Sequence, residues 1–279
     1  MRTGLLLGLV LACSPAMADS RRDFVIARGE VAEKSILKDY AGAKQAASRA
    51  LKLASDDGER ADIYRSLDHI ASQTGDVPLM IETMEFQIPR HALRKTRSDR
   101  TRQYVAFLHT HKALEIEVAR AREKLVNSPD DIVALGILAF SFGPAKSKEP
   151  AAAEFTKRFE AANLEVARKQ AREAEERAPK LEENAAMGYA SAAKAWADAE
   201  GPDRVRLLLK KASESPALKD PFLRQVHFEN AGDAYCLIGE VEECVKMYEA
   251  AIKSDDLGLQ QRRLTLKIAE VRAGKKPTP

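Results

Sequence analysis

Apolar positions recur along this chain at steps of three and four residues, the spacing that puts side chains on one face of an α-helix. "DYAGAKQAASRALKL" sets Tyr40, Ala43, Ala47 and Ala50 on one such stripe, and "NLEVARKQAREAEERAP" sets Leu164, Ala167, Ala171 and Ala174 on another before Pro179. "DRVRLLLKKASESP" repeats the pattern with Val205, Leu209 and Ala212, and "EVEECVKMYEAAIKS" with Val241, Cys244, Tyr248 and Ala251. The closing alanines Ala174, Ala212 and Ala251 lie 38 and 39 positions apart. Self-similarity at that period, built from helix pairs, predicts an all-α fold, an α-solenoid of stacked antiparallel helix hairpins. One hairpin cannot bury its apolar face alone, so several must stack.

Between the stripes one phrase comes three times: "LASDDGERA" around Asp56, "NSPDDIVAL" around Asp130 and "KSDDLGLQ" around Asp255. A serine or aspartate at a helix N-cap accepts from an orphan amide, and acids in the first turn meet the positive end of the helix dipole. Asp56 and Glu59 stand in capping-box spacing; Ser128 precedes Pro129 and two acids, and Ser254 precedes Asp255 and Asp256 in the same way. All three are expected to start helices. A calcium loop would need alternating oxygen ligands and a later bidentate Glu, which none supplies. "SFGPAKSKEPAA" predicts a loop over residues 142–152, dividing less regular hairpins at 19–141 from more regular ones at 153–272. The run after Pro150 carries Phe155, Phe159 and Val166 on one side and dense charge on the other. At the end, Leu264, Ile268 and Val271 form the narrow stripe of a capping helix, with Gln260, Arg263 and Lys267 expected to face water. Gly274 can end that helix, and residues 273–279 are expected to form a disordered tail.

Composition strengthens the helical reading: Ala, Leu, Glu, Lys and Arg dominate and aromatics make up 6%. The 45 basic and 42 acidic residues are spread along the chain without a basic face, which argues against nucleic acid as a partner. The first residues change the picture more. "MRTGLLLGLVLACSPAMADS" has Arg2, an apolar run from Leu5 to Ala12, the breaker Pro15 and the small-x-small Ala16-Met17-Ala18. That is the pattern of a secretory signal at residues 1–18, cut after Ala18 and too short for a mature membrane span. The rival is lipidation at Cys13, since "LVLAC" is like a bacterial lipobox. Either way the expected address is outside the cytoplasm, most simply a periplasm, with no transmembrane span in the mature chain.

"FENAGDAYCLIGEVEECVKMYEAAIKSDD" resembles a tetratricopeptide repeat. Phe228, Ala231, Gly232 and Tyr235 match the first-helix pattern, Gly239 the turn glycine, and Cys244, Tyr248 and Ala251 the second helix. "YASAAKAWADAEGPDRVRLLLKKA" is similar through Tyr189, Ala193, Trp196, Val205, Leu209 and Ala212, with core packing expected of Trp196 and Tyr235. "LDHIASQTGDVPLMIETMEF" follows the pattern only in outline, the spacing exceeds the family's usual 34, and Asp256 stands where proline is common. The resemblance implies a concave groove lined by first helices, where some members hold a peptide carboxylate with Lys, Arg and Asn. Lys194, Asn230 and Arg263 fall on the matching faces here.

The sequence carries no phosphate loop, nucleophile elbow or HExxH helix, so neither an enzyme nor a cofactor is expected. His109 and His111, two apart, would point about 200° from each other on a helix and cannot share a metal there. His69, His91 and His227 stand alone. After cleavage at Ala18, Cys236 and Cys244 remain, and folding the hairpin about Glu240 sets them opposite each other. The family register instead pairs Cys244 with Gly232, which leaves two small buried thiols as the alternative to a disulfide. The first functional reading is a periplasmic scaffold or adaptor that binds a peptide or an envelope protein. The second is a carrier of an apolar ligand such as a lipid, with Leu79, Met80, Met84 and Phe86 as its adaptable patch.

Overall fold

A computed structural model describes residues 15–142, 150–255 and 258–275, with side chains from residue 21 onward. Among these residues the chain is all-helical, without a strand, and no helix is long and apolar enough to cross a membrane. Cys13, residues 143–149 of the loop expected at 142–152, Asp256 and most of the expected tail lie outside the described residues, while residues 150–152, expected in that loop, are helical.

The described residues fall into two compact units, one within Met1–Ile88 and Tyr104–Ile116 and the other within Pro89–Gln103 and Glu117–Pro279. The first unit is built on α1 (Pro15–Ile36), α2 (Tyr40–Leu53), α3 (Asp57–Thr74) and α4 (Val77–Gln87). α1 packs on α2 and α3, and α3 on α4. The stripe expected on α2 is the seam of this core: Ala43, Ala46, Ala47 and Ala50 are fully buried, against Phe24, Val31, Ile63, Leu67 and Ile70. Methyl groups alone let backbones approach closely, so larger neighbours from α1 and α3 close the space.

α5 (Arg94–Thr110) and α6 (Leu114–Asn127) follow, and then α7 (Ile132–Phe140) and the long α8 (Pro150–Arg177) of the second unit. The same unit continues with α9 (Ala185–Asp198), α10 (Pro202–Glu214), α11 (Pro221–Leu237), α12 (Val241–Lys253) and α13 (Gln261–Arg272). α7 packs on α8 and α8 on α9; α9 packs on α10 and also on α11; α11 packs on α12, and α12 on α13. Two hairpins, α9–α10 and α11–α12, therefore lie side by side through their first helices. Gly239, at φ +87°, makes the turn of the second hairpin, a left-handed conformation that costs little without a Cβ. Gly232 lets α12 come close, since a Cβ there would sit 2.7 Å from Tyr248 Cδ1. Trp196 and Tyr235 are partly buried against the Ala190–Ala197 and Leu208 core, and Trp196 also donates from Nε1 to Glu175 (2.9 Å).

The three acidic phrases divide. Asp56 caps α3 as expected, accepting from Glu59 N (2.8 Å), while Glu59 accepts from Ser55 N (2.7 Å). In the second phrase the cap is Asp131, which accepts from Ala134 N (2.9 Å), and Ser128 lies outside the helix. Residues 128–131 form a turn, with Asp131 N donating to Ser128 O (3.0 Å), so Pro129 precedes the helix instead of opening it. The third phrase is not a start. Ser254 closes α12, its hydroxyl donating to Ala250 O (3.0 Å), and Asp255 ties down the next turn by accepting from Gln260 N (2.7 Å). Ser and Asp bond locally to backbone at either end of a helix, so the phrase alone does not fix direction.

Candidate functional site

The faces that α9, α11 and α13 turn toward one another carry a continuous polar row. Its rungs join residues one hairpin apart. Asn230 Nδ2 donates to Ser191 Oγ (3.0 Å) and Lys194 Nζ to Asp233 Oδ2 (2.5 Å), joining α9 to α11. From α13, Arg263 donates to both oxygens of Glu229 (2.5 and 2.6 Å), a bidentate pair that fixes angle as well as distance. Lys267 Nζ donates to Asp233 Oδ1 (3.0 Å) and Glu229 Oε1 (3.2 Å). Tyr248 of α12 donates its hydroxyl to Asp233 Oδ1 (2.5 Å).

Lys267 corrects the expectation that it faces water, for it is only 6% exposed. Its neighbours Leu264, Ile268 and Val271 are buried as the stripe predicted, but the buried face of α13 is wider than the stripe and extends over Lys267. A buried ammonium is tolerated only when paired, and two carboxylates of α11 supply the pair.

Asp233 is the hub. Burial pushes its carboxyl upward, but Lys194 and Lys267 beside it outweigh that and hold it below the ordinary carboxylate range. Glu229 is likewise raised by burial and brought below its ordinary value by Arg263 and Lys267. The Tyr248 phenol moves far upward, through burial and then the Asp233 charge, so it stays a donor. The row holds the cations Lys194, Arg263 and Lys267 against the anions Asp233 and Glu229, one positive charge in excess.

The three residues expected to line a groove are thus gathered on adjacent helices, each already engaged with its own chain. Sequence reasoning missed Glu229, Asp233, Lys267 and Tyr248. A signal was present: two acids four apart on α11 face two bases four apart on α13, each pair 34 residues from its partner. Cys236 and Cys244 form a disulfide across the α11–α12 hairpin, with Cα atoms 5.1 Å apart. Gly232 also lies against Cys244 O, at 3.3 Å from an added Cβ, so the register that pairs it with Cys244 coexists with the bond.

Of the four apolar residues expected as one patch, the two methionines are buried. Met80 and Met84 are 3% and 2% exposed, Leu79 packs against the α1–α3 core, and Phe86 stacks on Tyr64 at 4.2 Å. Elsewhere in the second unit, Arg97 is fully buried among neutral acceptors. It donates to Asn163 Oδ1 (2.5 Å), Asn163 O (3.0 Å), Gln170 Oε1 (2.9 Å) and the His91 carbonyl, and burial lowers its pKa to about 10. Its donors are spent on holding α5 to α8. Among the described residues no group of His, Cys, Asp and Glu side chains could hold a metal ion. No family model, curated protein or solved structure matches the chain.

Proposed function

We propose that the protein is a non-enzymatic scaffold or adaptor of tetratricopeptide type, exported to a bacterial periplasm, that binds a peptide or another envelope protein. The observation that carries the reading is the polar row across α9, α11 and α13. Helices from successive hairpins stand next to each other with their polar faces in register, the arrangement a solenoid groove requires. Lys194 and Arg263 remain part-exposed at its edges, and the excess positive charge suits a partner segment bearing carboxylates. Export rests on the apolar run Leu5–Ala12 and on Ala16-Met17-Ala18, with lipidation of Cys13 as the other route to the envelope.

The test places a photoreactive benzophenone side chain at position 226, on α11 one turn before Asn230, and separately at Lys210 on the exposed side of α10. Irradiation in the native host should give one dominant protein adduct from position 226 and none from 210. Equal labelling at both, or none at either, would remove the groove reading. Denatured mass of the isolated chain should report cleavage after Ala18 or lipid on Cys13; a full-length cytoplasmic chain would remove the address.

A further inference from the structure

The segment joining α10 to α11, residues 215–220, borders a cleft of about 420 Å³ in the second unit, within the range of small-molecule sites. Leu209, Leu218, Phe228 and Met247 supply apolar walls, and Tyr235 adds a ring and a hydroxyl. Most polar groups in the lining are spent on the chain itself. Ser213 Oγ donates to Lys210 O and Ser215 Oγ to Lys211 O, both at 2.7 Å. Lys246 Nζ pairs with Glu243 (3.3 and 3.4 Å). His227 donates from Nδ1 to Ala186 O (3.1 Å), and burial lowers its pKa, so the ring stays neutral. Arg224 differs. This part-buried residue lines the cleft, and its guanidinium has no hydrogen bond or ion pair with any described residue.

One unspent cation above apolar walls selects one kind of ligand. We propose that this cleft binds a small amphiphile with a single carboxylate, its head on Arg224 and its alkyl chain against Leu209, Leu218, Phe228 and Met247. The planar fork of a guanidinium matches a carboxylate in two parallel bonds. A peptide fits less well, because each amide it brought into the cleft would need a partner that the lining has already committed. The inference is independent of the scaffold reading, since none of Lys194, Asn230 and Arg263 lines this cleft.

The full chain is titrated calorimetrically with dodecanoate below its micelle concentration, with dodecan-1-ol, and with a tripeptide ending in leucine. Dodecanoate should bind one to one, and dodecan-1-ol should bind at least about tenfold more weakly, the loss expected for a charge-assisted contact. Arg224→Gln should cost dodecanoate a similar factor, and Ala217→Trp, which fills the mouth from an exposed position, should abolish binding while the helical circular dichroism is unchanged. No saturable dodecanoate binding overturns the proposal. So does binding indifferent to both variants, which would place the ligand elsewhere. Preference for the tripeptide would assign the cleft to a protein segment and also overturn it. Should Arg224→Gln not fold, Ala217→Trp and the comparison with the alcohol still decide.

Discussion

The α1–α3 core and the α11–α13 core solve the same problem, close packing of three short helices, with opposite chemistry. Among the described side chains of α1–α3, none that is polar or charged is buried, and the α2 seam is four alanines. The same helices α11–α13 carry the apolar cluster of Tyr248, Ala251, Leu264, Ile268 and Val271 and also Asp233 and Lys267, both nearly inaccessible and both beside Tyr248. Alanine seams set how near two helices come but tolerate small slips along the axis. A buried ion network does not, because a shift of one residue would strand a charge in a medium that cannot solvate it. The first core is held by area and shape, the second also by registry.

The largest effect that would break this contrast comes from the hub. Asp233→Ala leaves Lys194 and Lys267 facing each other and the Tyr248 hydroxyl without its acceptor; about 3–5 kcal/mol should be lost. Hydrogen exchange followed by mass spectrometry should show deprotection in α11–α13 with α1–α3 unchanged. In the first core the corresponding break is steric: Ala47→Leu should cost about 1–3 kcal/mol by overpacking the α2 seam, and should deprotect α1–α3 alone. Acid sharpens the comparison. Asp233 and Glu229 have folded pKa values below their unfolded ones, so their contribution is complete above the unfolded values and disappears as pH falls through the folded ones. Protection of α11–α13 should therefore hold steady above about pH 5 and decline below about pH 4, with a smaller decline in Asp233→Asn. Smallest is the cap: Asp56→Ala should cost about 1 kcal/mol in urea unfolding and fray only the start of α3.

The helices of both cores were legible because burial imposes a period on the sequence, as Ala43, Ala47 and Ala50 or Leu264, Ile268 and Val271 show. Asp56 was legible as a cap because its partner, Glu59, is three residues away. Ser254 misled because the same local chemistry serves a helix end, and which end depends on where the chain next finds packing. Lys267 misled for a longer-range reason. A lysine beside an apolar stripe is normally solvated, and only carboxylates on a helix 34 and 38 residues earlier make its burial tolerable. Lys194, Asn230 and Arg263 were placed on matching faces by the repeat pattern, but their engagement with Asp233, Ser191 and Glu229 was not visible there.

Helix period, capping and side-chain size act over a few residues, so the helical class, the place of most helices and the inward face of most stripes could be read from the chain, though Val241 at the start of one stripe is exposed. Tertiary structure alone decided that Asp233 and Lys267 share one buried network, that Met80 and Met84 are packed away from solvent, and that Arg224 is left beside an apolar cleft. Those outcomes depend on which distant groups become neighbours, and the energy of a buried charge or an open cleft is set by those neighbours rather than by the residue itself.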